Sequence, residues 1–281
     1  MNHQGEIFSN LINKLELKSG EREAHSILSA LEKDLFHGKH RLKMTAEEQD
    51  ILFEALNRVL LDEPVQYITG ISWFYGNRFR VDSSVLIPRP ETEELVYKII
   101  EHFEHERSIN VLDVGTGSGI IPITLAWKFP SWSISGLDIS ESALEVARFN
   151  AEQLNANVTW VNSDILKPNT DLSAKYDLIV SNPPYILKAE QSEMSLSTLK
   201  FEPEVALYCT TNDPLVFYRA ILSFSRSHLT PAGWVYFECS EYHVRAVAEL
   251  MGAMNFISID IVKDMQGKER IVLGQYSKST N

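Results

Sequence analysis

The feature that most constrains the fold is a regular alternation of short apolar segments with longer helical ones over residues 109–274. The predicted strands cover residues 109–114, 134–138, 158–161, 177–180, 234–238, 257–262 and 270–274, and the predicted helices between them cover 120–129, 143–154, 215–229 and 244–254. This order predicts an α/β fold with a mainly parallel sheet covered by helices on both faces. The link at 263–269 is too short for a helical crossover, so the last two strands are expected to pair antiparallel.

The amino-terminal part has a different pattern. Apolar residues recur at helical spacing in three stretches of residues 7–61, which predicts three amphipathic helices. The third opens at Thr45, and Glu48 completes a capping box. Residues 1–69 contain 12 acidic and 8 basic residues and no cluster of catalytic residue types. A module that docks a partner and a structural cap are equally compatible with this pattern.

Residues 70–90 are rich in β-branched and aromatic residues interrupted by Gly and Asn. Residues 73–81 are typical of a hairpin with Gly76 and Asn77 at or near its turn. The sequence therefore predicts a helical domain at 1–69, a β-hairpin connector at 70–90 and an α/β domain at 91–281.

The charge of the chain limits its partners. The 281 residues include 38 Asp and Glu against 26 Lys and Arg, a formal net charge of −12, so a nucleic-acid substrate would need a local basic patch. No uncharged stretch is longer than that at 114–127, which is shorter than the ~20 residues that span a bilayer, and the amino terminus lacks the pattern of a secretory signal. Two cysteines make neither a disulfide framework nor a zinc site. We expect a cytoplasmic protein with no metal and no membrane association.

A glycine-rich turn follows the first strand of the α/β domain. Gly115, Gly117 and Gly119 alternate there with Thr116 and Ser118, and such a turn lets the backbone approach a ligand closely. In a dinucleotide-binding turn the third glycine follows the second by three residues, but here it follows by two. The spacing therefore disfavours a pyrophosphate ligand.

Acidic residues follow the next two strands. Asp138 can accept hydrogen bonds from both ribose hydroxyls of a nucleoside, while Asp164 can bind an adenine amino group and Ile165 can cover the ring. Each acid alone is often only a helix cap. Together with the glycine turn, however, the ordered set indicates a nucleoside without a phosphate and predicts S-adenosyl-L-methionine as cofactor.

The most informative segment is Asn182-Pro183-Pro184-Tyr185, directly after the fourth strand. The side-chain oxygen of Asn182 and the carbonyl of Pro183 can accept the two N–H bonds of a planar amino group, and Tyr185 can stack on it. The two prolines restrict the backbone and so preorganise both acceptors. The alternative interpretation is a rigid turn at a strand end.

With these residues, the chain resembles the S-adenosylmethionine-dependent amino-methyltransferases, and within them the peptide chain release factor N5-glutamine methyltransferases (PrmC/HemK family). The resemblance extends over nearly the whole chain and includes residues 64–70, 86–93, 201–207 and 267–274. The Pro-Arg-Pro-Glu-Thr-Glu run at 88–93 is the most specific of these segments. Asn-Pro-Pro-Tyr occurs in similar form in enzymes that methylate nucleobases.

The resemblance implies a seven-stranded Rossmann-like methyltransferase domain preceded by a small all-α domain and a β-hairpin connector. It implies methyl transfer to the glutamine of the Gly-Gly-Gln motif in class I release factors, with S-adenosyl-L-homocysteine as product. The implied cofactor-binding residues are Gly115, Thr116, Gly117, Ser118, Gly119, Asp138, Ile165 and Asn182, and the strand-end pattern adds Asp164 to them. The implied substrate-binding residues are Asn182, Pro183, Pro184 and Tyr185, of which Asn182, Pro183 and Tyr185 are catalytic.

Other residues keep two interpretations. Arg89, Glu91 and Thr92 either shape the pocket entrance or fix the junction between the hairpin and the next helix, and Glu202 either braces the active-site loop or is structural.

Three other functions are weighed against methylation of a protein. An amino-methyltransferase acting on a nucleobase of RNA or DNA is disfavoured by the net charge and by the acidic helical segment. A catalytically silent module that only binds the release factor is disfavoured by the intact motifs, and a nicotinamide-dependent oxidoreductase by the glycine spacing. We expect a monomer that contacts the release factor and no nucleic acid.

Overall fold

The computed structural model describes residues 3–168 and 174–277, which form two compact units. One unit comprises the chain up to Ile71 together with Met194–Phe201, and the other comprises Ser72–Glu193 and the chain from Glu202 onward. The outer limits of the predicted domains, residues 1 and 281, lie outside the described residues. Within the described residues, no helix has the length and apolar character needed to cross a bilayer.

The helices and strands are numbered in chain order. The helices are α1 His3–Ser19, α2 Glu21–Phe36, α3 Ala46–Leu60, α4 Val65–Thr69, α5 Pro90–Phe103, α6 Ile120–Lys128, α7 Glu141–Gln153, α8 Leu196–Phe201, α9 Glu204–Leu207, α10 Val216–His228 and α11 Val244–Ala253. The strands are β1 Ile71–Phe74, β2 Asn77–Arg80, β3 Asn110–Val114, β4 Ser133–Asp138, β5 Thr159–Asn162, β6 Tyr176–Ser181, β7 Leu229–Glu238, β8 Phe256–Lys263 and β9 Glu269–Tyr276. Short 3-10 helices lie at Arg41–Lys43 and Lys188–Glu193.

The three predicted amino-terminal helices are present as α1, α2 and α3. Their apolar stripes bury a common core that includes Leu15, Leu31 and Leu52. The predicted capping box is confirmed, because the Thr45 hydroxyl accepts from the Glu48 amide at 3.2 Å and the Glu48 carboxylate accepts from the Thr45 amide at 2.7 Å. These bonds satisfy amide groups that the first turn of a helix otherwise leaves without partners.

The hairpin of β1 and β2 turns at Tyr75 and Gly76, both of which have positive φ (50° and 78°), and Asn77 begins the second strand. Two positive φ values are what a two-residue turn of type I′ requires. The Tyr75 amide donates to a Glu93 carboxylate oxygen on α5 at 2.7 Å, which attaches the turn to that helix.

The larger unit contains a seven-stranded sheet with the order β5-β4-β3-β6-β7-β9-β8. The first five strands in that order are parallel, and β9 pairs antiparallel with both β7 and β8. The predicted α/β class and the antiparallel pairing of the last two strands are confirmed, and the last strand inserts between its two predecessors.

The central strands are apolar on both faces of the sheet. On β3, Val111 belongs to one buried core and Leu112 to the other, and Leu178 and Ile179 divide in the same way on β6. Successive side chains of a strand point to opposite faces, so the two cores lie on opposite sides of the sheet. The strand order reverses between β3 and β6, which is where open α/β sheets leave a crevice at the carboxyl ends of their strands.

Candidate active site

A cleft that is open to solvent lies at the carboxyl ends of the parallel strands. The predicted site residues that line it are Gly115, Gly117, Asp138, Asp164, Ile165, Asn182, Pro183 and Pro184. Thr116, Ser118, Gly119 and Tyr185 are not part of this lining. Residues from four separate strand ends therefore meet at one cavity, in the order that the sequence predicts.

The glycines of the turn after β3 serve two different purposes. Gly115 and Gly117 have φ of 75° and 53°, and a Cβ atom at either position would extend into open space. Gly119 has φ of 80° and caps α6, but a Cβ there would lie 2.9 Å from Ile123 Cδ1 and 3.0 Å from the Trp160 ring. The first two glycines leave room for a ligand, whereas the third allows close packing.

Asp138 connects the glycine turn to the start of α7. One carboxylate oxygen accepts from the Gly117 amide at 2.8 Å, and the other accepts from the Ser140 amide at 2.9 Å. Burial raises the pKa of Asp138, and these backbone hydrogen bonds oppose the rise. Because each carboxylate oxygen can accept a second hydrogen bond, Asp138 retains the capacity to bind two hydroxyl groups.

Asp164 and Ile165 follow β5 on the same wall of the cleft. One Asp164 oxygen accepts from the Leu166 amide at 2.8 Å, which fixes the local turn. Ile165 is buried and packs with the core beneath the cleft. Together they form a wall with one carboxylate and one aliphatic side chain, a combination suited to a flat ring with an exocyclic amino group.

Asp113, at the penultimate position of β3, is a residue that the sequence analysis missed. It is fully buried, and within the described residues neither of its carboxylate oxygens has a hydrogen-bond partner. Burial raises its pKa from an ordinary value of 3.8 to about 7. The buried Thr116 hydroxyl lies close enough to Asp113 to oppose this rise in pKa, although neither group makes a hydrogen bond of good geometry within the described residues.

Asn182 follows β6, whose last residue, Ser181, donates from its hydroxyl to the Val114 carbonyl at 2.6 Å. The Asn182 amide nitrogen donates to the Thr92 hydroxyl at 3.2 Å, and that hydroxyl donates to a Glu238 carboxylate oxygen at 2.7 Å. Burial raises the pKa of Glu238 to about 7, while its hydrogen bond from Thr92 opposes the rise. Glu238 is the second residue that the sequence analysis did not single out.

The segment after Asn182 is held by the chain near α9. The Ile186 amide donates to the Leu207 carbonyl at 3.1 Å, and the Cys209 amide donates to the Ile186 carbonyl at 2.9 Å. Tyr185 packs against the core that contains Phe237, and burial raises the pKa of its hydroxyl. Its predicted stacking on a bound amide stays a prediction.

Glu202 and Arg89 form a pair behind another part of the cleft wall. The buried Glu202 carboxylate accepts from Arg89 at 2.5 Å and from the Ile87 amide at 3.2 Å. The residues just before this anchor, Val85 and Leu86, line the cleft. Glu202 therefore holds the segment before α5.

Asn150 on α7 is a further residue that the sequence analysis missed. Its buried amide accepts from the Arg80 amide at 2.7 Å and donates to the Ser118 carbonyl at 2.9 Å. It thereby joins the hairpin to the glycine turn. A lone Asn in a helix carries no sequence signal for such a contact between segments that are distant along the chain.

Fold and site together define a methyltransferase. The family model for the methyltransferase small domain matches residues 97–201. A solved methyltransferase from Pyrococcus furiosus is 20% identical with a TM-score of 0.54, over 80% of this chain and 99% of that one, and it shows the same fold.

Curated relatives identify the family more closely. The release factor glutamine methyltransferase of Bacteroides thetaiotaomicron is 40% identical over 85% of both chains. That of Streptococcus pneumoniae is 36% identical over 95% of this chain and 96% of its own. The chain belongs to the release factor glutamine methyltransferase family.

Proposed function

We propose that this protein transfers a methyl group from S-adenosyl-L-methionine to the side-chain amide nitrogen of the glutamine in the Gly-Gly-Gln motif of class I release factors. The observation that carries the proposal is that Asn182 and Pro183 line the same cleft as the glycine turn and Asp138. A donor site for the methyl group and an acceptor site for an amide are thus adjacent. Membership of the family supports the choice of glutamine as acceptor.

The proposed cofactor site uses the residues that follow β3, β4 and β5. Asp138 would accept hydrogen bonds from the ribose hydroxyls, while Asp164 and Ile165 would bind the amino group and the face of the adenine. The open positions beside Gly115 and Gly117 leave room for the amino-acid part of the cofactor. When bound, S-adenosyl-L-methionine supplies an electrophilic methyl group on a sulfonium and leaves as S-adenosyl-L-homocysteine.

The chain must compensate for a poor nucleophile. The lone pair of an amide nitrogen is delocalised into its carbonyl, and no side chain in the cleft is basic enough to remove the amide proton at neutral pH. The Asn182 Oδ1 atom and the Pro183 carbonyl would accept the two N–H bonds, which orients the nitrogen toward the methyl group. Alignment of this kind can contribute about 7 kcal/mol. One amide proton leaves to solvent after transfer, so the product keeps a single N–H bond.

The role of the helical domain belongs to the same proposal. We assign residues 1–69 to docking of the release factor, residues 70–90 to a connector and residues 91–281 to catalysis. None of the described residues of the helical unit lines the cleft, and α8, which is inserted between two catalytic segments, belongs to that unit. A protein substrate, whose reactive loop is small compared with its body, needs such an additional contact surface.

The test is a reaction of the purified protein with S-adenosyl-L-methionine and an unmodified class I release factor, followed by peptide mass spectrometry. We expect one added methyl group on the Gly-Gly-Gln glutamine. A release factor whose glutamine is replaced by Glu is the matched control and should remain unmodified. Methylation of RNA or DNA with the release factor untouched would replace the proposal by a nucleobase activity.

A further inference from the structure

Three residues from distant parts of the chain form a buried line of hydrogen bonds behind the cleft. Asn182 follows β6, Thr92 lies in the first turn of α5 and Glu238 ends β7. The Asn182 Nδ2 atom lies 3.2 Å from Thr92 Oγ1, which lies 2.7 Å from Glu238 Oε2. Thr92 and Glu238 are each only 2% exposed, so water has little access to the bond between them.

The single proton of the Thr92 hydroxyl determines the direction of the line. In the structure the Thr92 hydroxyl donates its proton to a Glu238 carboxylate oxygen, and above its pKa of about 7 the ionised Glu238 can only accept. The hydroxyl oxygen of Thr92 is then available to Asn182 only as an acceptor. The Thr92 oxygen therefore accepts from the Nδ2 atom of Asn182, and the Oδ1 atom of Asn182 points away from Thr92.

This direction matters because a carboxamide has two orientations of nearly equal shape. They differ by exchange of an acceptor for a donor, and nothing in the size of the side chain distinguishes them. The proposed acceptor amide presents two N–H donors. The orientation with Nδ2 toward the cleft would place donor against donor and would leave one N–H of the substrate amide without an acceptor.

We propose that Thr92 and Glu238 are positioning residues that hold the Asn182 carboxamide with its Oδ1 atom toward the methyl acceptor. This inference rests on the proposed function, because it assigns the group that Asn182 presents to the glutamine. The backbone of both positioning residues is itself held by hydrogen bonds. The Thr92 amide donates to the Arg89 carbonyl at 3.1 Å, and the Glu238 backbone carbonyl accepts from the Tyr218 hydroxyl at 3.1 Å.

The first test removes the hydroxyl and keeps the shape of the side chain. Thr92→Val is expected to lower kcat for the release factor by about 10- to 100-fold, as misorientation of a reacting group does, with cofactor affinity within about twofold of wild type. Thr92→Ser restores the hydroxyl and is expected to recover most of the rate. Thr124→Val is the matched control, since it removes a buried hydroxyl that has no partner within the described residues. It should retain the wild-type rate.

A second series changes the other end of the line and does not depend on the folding of the Thr92 variants. Glu238→Gln keeps a carbonyl that can accept from Thr92, whereas Glu238→Met keeps only the volume. We expect the Met variant to lose turnover as Thr92→Val does and the Gln variant to retain clearly more. Equal rates for the Gln and Met variants would overturn the inference.

A double-mutant cycle separates positioning from general damage. If Thr92 acts only through Asn182, then Thr92→Val introduced into Asn182→Ala should cause no further loss of kcat. Losses that multiply in the double variant, or a Thr92→Val variant with wild-type kcat, would contradict the inference. The wild-type enzyme is measured first in the same assay. If it leaves the release factor unmodified, the proposed function fails by itself.

Discussion

Asn182 is the residue on which the proposed chemistry depends most directly. It lines the cleft, and its amide nitrogen is already engaged by Thr92. We predict that Asn182→Ala loses turnover by on the order of 10²–10³-fold, as removal of one preorganised polar group does at other active sites. Affinity for S-adenosyl-L-methionine should change little, because Asp138 and the glycine turn remain. Calorimetric binding and initial rates of the same preparation test both parts.

Asn110→Ala serves as the control for this prediction, because Asn110 is exposed at the amino end of β3, away from the carboxyl ends of the strands. The variant should have wild-type rates. Near-normal turnover of Asn182→Ala would mean that the amide is oriented by other groups.

Asp113 makes the stability of the protein depend on pH. Its pKa is about 7 in the folded chain and near 3.8 when unfolded, so the folded state binds the proton more tightly. The resulting stabilisation is complete below about pH 4 and is lost as the pH rises to about 7. Asn at position 113 cannot ionise, so Asp113→Asn should not show this loss of stability as the pH rises. Relative to wild type, the variant should gain about 2–4 kcal/mol in the free energy of unfolding between pH 4 and pH 8.

Urea denaturation of both proteins at a series of pH values measures that difference. Glu238, which also titrates near pH 7, contributes equally to both proteins and cancels. A difference between the two proteins that does not vary with pH would show that Asp113 has an ordinary pKa.

At the scale of elements, the turn between β3 and α6 combines a binding role with a packing role. We predict that Gly117→Ala weakens cofactor binding about tenfold or more, because its Cβ enters the cleft and its positive φ costs ~1–2 kcal/mol for an L-residue. Gly119→Ala should instead destabilise the fold by ~2–4 kcal/mol, since its Cβ meets Ile123 and Trp160 in addition to the same backbone cost.

Thermal unfolding without ligand and cofactor titration of each variant separate the two effects. We expect Gly119→Ala to lose more stability than Gly117→Ala. Relative to the stability it loses, Gly117→Ala should lose more cofactor affinity than Gly119→Ala. The reverse order would exchange the roles assigned to these two glycines.

The elements also show what sequence patterns can and cannot predict. The long periodic segments were predictable, because burial on one face or on both leaves a pattern along ten or more residues. The short helices α4, α8 and α9 are four to six residues long and leave no such pattern. The position of β9 between β7 and β8 depends on pairing, which local periodicity does not encode.

The residues of the candidate site also fall into those that the sequence pattern predicts and those that it does not. Residues of the glycine turn and of the Asn-Pro-Pro-Tyr segment were predictable, because their chemistry is concentrated in a few consecutive positions. Thr92 and Glu238 are 146 positions apart and meet only through the order of the strands. Asp113 lies inside an apolar strand, where a single acid carries no indication of whether it has a partner.

At the scale of the whole molecule, the two units are not two consecutive halves of the chain, because the helical unit takes up a later segment of the sequence. Met194–Phe201 leaves the catalytic unit after the Asn-Pro-Pro-Tyr segment and belongs to the helical unit. There Lys200 contacts Asp62 at 3.0 Å, and Asp62 also pairs with Lys18 at 2.6 Å. Glu202 follows directly and anchors the cleft wall through Ile87 and Arg89. A single division of the sequence at residue 69 could not anticipate this insertion.

The net charge of −12 leads to the last prediction, which concerns the class of acceptor. Binding to nucleic acid depends on Lys and Arg that neutralise phosphates and release counterions, and this term supplies nearly all nonspecific affinity. We predict that a labelled single-stranded RNA shows no saturable binding at enzyme concentrations below about 100 μM in low salt, measured by fluorescence anisotropy. Low salt favours the electrostatic term most strongly, so the absence of binding there is the stringent result. Micromolar binding that weakens steeply with added salt would instead indicate a concentrated basic surface. It would make a nucleobase acceptor the function to test next.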